Sequence, residues 1–123
     1  MKSILAIVLT AVLGLGATGA FAAEAKLTTI AAVYKDKTAL AGKEVRVQGK
    51  VVKVNNGIMG RNFLHVQDGS GDKDSNDLTV TSKQTATVGD QVVVTGRVLL
   101  NKDFGAGYAY PLLVEEASIS PKK

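Results

Sequence analysis

Residues 42–68 read Gly-Lys-Glu-Val-Arg-Val-Gln-Gly-Lys-Val-Val-Lys-Val-Asn-Asn-Gly-Ile-Met-Gly-Arg-Asn-Phe-Leu-His-Val-Gln-Asp. Val45, Val47 and Gly49 alternate with Arg46, Gln48 and Lys50, the period of a strand with one face on a core and one in water. A glycine inside such a strand has no side chain to pack and marks a bulge or corner, so Gly49 is where the strand bends and serves two sheet neighbours. Leu64 and Val66 repeat the alternation against Phe63, His65 and Gln67. Between the two runs, Asn55-Asn56-Gly57-Ile58-Met59-Gly60 reads as a tight turn, with Asn-Gly supplying the positive φ angles. Ile58 and Met59 would then cover one end of the sheet or offer a contact surface.

Upstream of this stretch, Thr28 or Thr29 can cap a short helix through Ile30 and Tyr34, accepting from amides of the first turn that have no other partner. Ile30, Val33 and Tyr34 share a face, Lys35 to Lys37 form a polar end, and the helix is expected to plug one end of a barrel. Further upstream, Met-Lys-Ser precedes an apolar run from Ile4 to Leu15 and the small-residue sequence Ala20-Phe21-Ala22-Ala23. That pattern predicts a signal peptide over residues 1–22, a periplasmic address for residues 23–123, and no lasting membrane anchor.

Downstream, Asp68-Gly69-Ser70-Gly71 is a turn and Leu78 to Thr81 a third strand, followed by polar residues Ser82 to Thr87 and a second turn at Val88-Gly89-Asp90. Gln91 to Leu100 is the fourth strand, and its Gly96 repeats the bend of Gly49. Asn101 to Gly107 reads as a hairpin loop and Tyr108 to Ile119 as a closing strand, with Pro111 tolerable only near an edge. The expected fold is therefore all-β, a five-stranded OB (oligonucleotide/oligosaccharide-binding) barrel with a short N-terminal helix. A small two-sheet sandwich is the alternative.

The 123 residues carry 15 bases against 11 acids and no cysteine. Loss of residues 1–22 removes only Lys2, leaving a mildly basic domain with scattered charges, unlike an electrostatic DNA wrapper. Disulfides and thiolate metal sites are excluded. The single histidine, His65, rules out a catalytic triad or a multi-histidine metal site within one chain. Asp72, Asp74 and Asn76 open like a calcium loop, but Asp77 stands where glycine is needed and Lys83 where glutamate is needed. With no nucleophile–base pair in view, the chain reads as a non-enzyme that needs no cofactor.

On the water side of the first three strands the alternation gathers Arg46, Gln48, Lys50, Phe63, His65, Gln67, Thr79 and Thr81. An aromatic ring can stack a planar ligand while cations neutralise an anion, and OB barrels use this face with the loops after strands one and four. Met59, Arg61, Phe104 and Tyr108 lie on those loops and complete the candidate site. Ordinary solvated strand residues are the alternative explanation.

Gly42-Lys-x-Val-x-Val-x-Gly-Lys-Val-Val-Lys-Val-Asn, Ile58-Met-Gly-Arg-Asn-Phe-x-His-Val-Gln-Asp-Gly-Ser-Gly and Lys102-Asp-Phe-Gly-Ala-Gly-Tyr-x-Tyr resemble a family of small exported bacterial OB-fold proteins. Asp77-Leu-Thr-Val-Thr and Val88-Gly-Asp belong to the same resemblance, which covers nearly all of residues 23–123. It implies a nucleic-acid-binding-type domain, with single-stranded nucleic acid or another anionic ligand as the expected partner. It also implies a second reading, an accessory protein of periplasmic cytochrome c nitrite reductase systems that contacts haem or a cytochrome. Phe63 stands where that family tends to carry tryptophan.

Overall fold

The computed structural model describes residues 25–105 and 107–122; the expected signal peptide lies outside them. Among the described residues no helix is long and apolar enough to cross a membrane. The chain is mostly β, and its elements in order are β1 (Leu27–Thr28), α1 (Ile30–Lys35), α2 (Lys37–Leu40), β2 (Glu44–Ile58), β3 (Arg61–Gln67), β4 (Leu78–Ser82), β5 (Gln91–Asp103) and β6 (Ala109–Pro121). Thr29 rather than Thr28 caps α1, its hydroxyl accepting from Ala32 N at 3.1 Å. Residues 35–37, expected as a polar end, instead carry the chain from α1 into α2, and β1 is a strand that the alternation did not reveal.

The six strands form one sheet in which β2 pairs with β3 on one side and β5 on the other, β5 with β6, and β3 with β4. β4 and β6 meet in parallel at a single register, Val80 opposite Val114. The pairings thus run in a circuit with one narrow seam, and β1 adds in parallel to the edge of β2. Lys50 pairs with both Gln67 and Gln91, so the strand changes neighbours beside Gly49. A Cβ at Gly49 would stand 2.6 Å from Val66 Cγ1 and 2.7 Å from Gln67 O, distances no carbon tolerates, and the bend therefore requires glycine. Gly96 meets the same restriction against Val114 and Glu115.

Val45, Val47 and Val51 of β2 and Val92, Val94 and Val98 of β5 pack with Leu64, Val66, Leu78 and Val80 inside the curl. Ile30 and Val33 of α1, both fully buried, belong to the same cluster, each such side chain contributing about 1.5–3 kcal/mol. The first hairpin turns later than expected. β2 runs on through Gly57, where the register shifts, and Ile58 pairs with Arg61. The two-residue loop is Met59-Gly60, with φ of 53° and 79°, the sign that such turns demand at both positions. Met59 is 42% exposed at the hairpin tip, so it covers no end of the sheet. β5 likewise runs into the expected loop as far as Asp103, which pairs with Ala109, where β6 begins one residue after the expected Tyr108. Pro111 sits on β6 before that strand reaches β4.

Candidate ligand-binding face

Across the outer face of β2, β3 and β4 the registers align Lys50 with Gln67, Lys53 with His65 and Thr79, and Asn55 with Phe63 and Thr81. The faces divide as the alternation predicts, but their exposure differs from the expectation at three positions. Phe63 is 1% exposed, and Thr79 and Thr81 are buried as well. Phe63 projects outward and is covered there by the tip of the β5–β6 hairpin. Its ring centroid lies 5.4 Å from Phe104, 5.9 Å from Tyr108 and 5.8 Å from Tyr110, spacings of mutually attractive edge-on and tilted aromatic pairs. β4 alternates Leu78 and Val80 with Thr79 and Thr81 like a half-wet strand, yet it is buried on both faces, and alternation in sequence does not report what covers the polar side.

What Phe63 supports is more accessible. Phe104, Tyr108 and Tyr110 are all partly exposed, with Arg61 Cζ 4.9 Å and Lys102 Nζ 5.3 Å from the centroid of Phe104. Both cations lie within the roughly 6 Å over which a ring quadrupole attracts positive charge. Burial, and next the neighbouring Tyr108, push the Tyr110 hydroxyl above its ordinary range. Lys102 and Tyr110 were not singled out as site residues. The signal was present, since Tyr108 and Tyr110 are two apart and so share a side of an extended chain.

The expected single patch therefore resolves into separate groups. Arg61, Phe63, Phe104 and Tyr108 come together at the tips of the two hairpins, with Met59 on the adjoining turn. Gln48, Lys50 and Gln67 lie at the far end of the same strands, lining a cleft of about 560 Å³. From Phe63 to Gln67 is four residues of strand, about 13 Å. Arg46 pairs with Leu27 of β1 and Thr95 of β5, away from both hairpin tips along its own strand.

His65 stands between the two groups, its side chain 23% exposed. Its Nδ1 lies 2.8 Å from Asp77 Oδ1, Gln67 Nε2 donates to the other carboxylate oxygen at 3.0 Å, and the Tyr34 hydroxyl donates to Asp77 O. Burial, then the charge of Asp77, raise the Tyr34 hydroxyl above its usual range. This network fastens α1 and the loop before β4 to the outer face. In that loop, Asp72 accepts from Asp74 N and Ser75 Oγ, so the residues resembling a calcium loop close a turn on themselves.

No protein-family model matches the chain, and no curated protein matches it. Among solved structures, a putative aspartyl-tRNA synthetase from Leishmania major Friedlin is similar with a TM-score of 0.54 and 11% identity, over 82% of this chain and 22% of that one. An OBody bound to hen egg-white lysozyme is similar with a TM-score of 0.50 and 20% identity, over 79% of this chain and 96% of that one. At these identities the likeness concerns the fold, which is OB-like.

Proposed function

We propose that this chain is an exported, non-enzymatic binding protein whose curled sheet works as an OB barrel and holds single-stranded nucleic acid across its two hairpin tips. The observation that carries the reading is the partly exposed Phe104 ring with Arg61 and Lys102 about it, beside Tyr108 and Tyr110. Bases stack on such rings without regard to sequence, and the cations take the phosphates. The role given to Phe63 shifts accordingly: it is the buried seat of the aromatic cluster, and its neighbours do the stacking. The alternative of a cytochrome partner rests on the expected export, the family resemblance and His65, whose ring is engaged with Asp77 in a brace for the loop before β4.

Fluorescence anisotropy of a labelled oligothymidylate provides the test. Binding is expected to weaken with salt, log K falling by about 0.7 per phosphate neutralised for each tenfold rise in salt concentration. Phe104→Ala is expected to cost about 1–3 kcal/mol of binding, and Arg61→Ala to flatten the salt slope. Salt-independent binding, or a Phe104→Ala variant that binds as well as the parent chain, would refute the assignment.

A further inference from the structure

The cleft at the opposite end of β2 has its own chemistry. Along one edge of β2, β1 covers Arg46 and Val47 while β3 begins its pairing at Lys50, so Gln48 and Gly49 have no registered strand partner on that side. Val51 N donates to Asp90 O and Val98 N to Lys43 O, and the register from Glu44 to Lys50 runs without a shift. In such a ladder alternate residues bond the partner strand. Odd-numbered residues of β2 therefore turn their backbone toward β5, and Gln48 turns its own toward the gap.

Around that gap stand Thr28, Gln48, Lys50, Gln67, Gln91 and Lys122. Among the described residues, neither lysine makes an ion pair, and the amides of Gln48 and Gln91 have no hydrogen-bond partner. Gln67 spends its amino group on Asp77 and keeps its carbonyl oxygen. The one carboxylate on the rim, Asp68, is consumed by Ile30 N, Ser70 N and the Ser70 hydroxyl. What remains is two free cations, amides that both donate and accept, a threonine hydroxyl and the aliphatic side chains of Leu27 and Val52, with no aromatic ring among them. That donor set suits a ligand with many hydroxyls and one negative charge, and 560 Å³ falls in the usual range for small-molecule sites.

We propose that this cleft is a second binding site, distinct from the hairpin tips, for a small anionic polyol: a sugar acid or sugar phosphate. Its lysines take the carboxylate or phosphate, and Gln48, Gln67 and Gln91 bridge the hydroxyls.

The test is a titration of ¹⁵N-labelled protein, followed by amide chemical shifts, with glucuronate, glucose 6-phosphate, glucose and acetate as separate probes. The two charged sugars are expected to shift amides of Thr28, Gln48 to Lys50, Gly69 and Gln91 at millimolar concentrations, and glucose and acetate each to bind at least about tenfold more weakly. Whichever charged sugar binds more tightly identifies the anion. Lys50→Ala combined with Lys122→Ala, both exposed positions that leave the core untouched, is expected to weaken binding about tenfold or more. Lys37→Ala, on α2 and outside the cleft, should leave it unchanged. The proposal is overturned if neither charged sugar shifts these amides, if acetate binds as well as glucuronate, or if the double variant binds like the parent chain.

Discussion

Phe63 shows how a residue can face the solvent side of a sheet and still be core. Its strand parity points it outward, and the hairpin tip then seals it to 1% exposure. Truncating a buried phenylalanine leaves a cavity, so Phe63→Ala is expected to cost about 3–5 kcal/mol of stability in urea denaturation. Phe104→Ala, at a partly exposed ring, is expected to cost clearly less. A value for Phe63→Ala no larger than that of Phe104→Ala would mean that the hairpin does not cover the ring in solution. Parity was legible in the sequence because alternation is local. Covering was not, because Phe63 is separated from Phe104, Tyr108 and Tyr110 by more than forty residues of chain, and nothing local encodes their meeting.

Among the elements, α1 is too short to stand alone and depends on what meets its ends. Thr29 caps it from within, while Asp68, at the end of β3, accepts from Ile30 N at 2.9 Å and Ser70 Oγ accepts from Ala31 N at 2.9 Å. Partial burial pushes the Asp68 carboxyl upward. The Ser70 hydroxyl and then the Ile30 and Ser70 amides outweigh this, and together hold it below its ordinary value. A carboxyl more acidic in the folded chain than in the unfolded one lends stability above the unfolded pKa, and that stability drains away as pH falls through the folded one. Melting temperatures measured from neutral pH into the acid range should therefore decline, and Asp68→Asn should lower the neutral value and flatten the acid limb. An unchanged acid limb would remove Asp68 from the docking of α1. The cap was legible, since threonine before an apolar run is a start signal, but its tertiary partner was not. The hairpin of β2 and β3 teaches the same lesson: Asn55-Asn56-Gly57 carries the stronger turn composition, yet Met59-Gly60 makes the turn because the pairing of Ile58 with Arg61 fixes where the strands end.

At the scale of the molecule, the succession of the five longer strands, the two glycine bends and the N-terminal helix were readable from alternation and turn chemistry, whereas the two-residue β1 was not. The division of the candidate site was not, because a flat list of outward residues carries no distance along the strand. Gln48 and Phe104 entered one patch on paper and stand at opposite ends of a curled sheet. The circuit of strands also has one thin place, where β4 and β6 share the single registered pair of Val80 and Val114 and the Ser82 hydroxyl donates to Ala117 O, while β2 and β5 share seven consecutive registers. A ring fastened so unevenly unzips from its clasp. Under native conditions, deuterium uptake at the amides of β4 and the middle of β6 should proceed through partial opening, with those between β2 and β5 protected until global unfolding; equal protection on both sides would mean the clasp is as firm as the hinge.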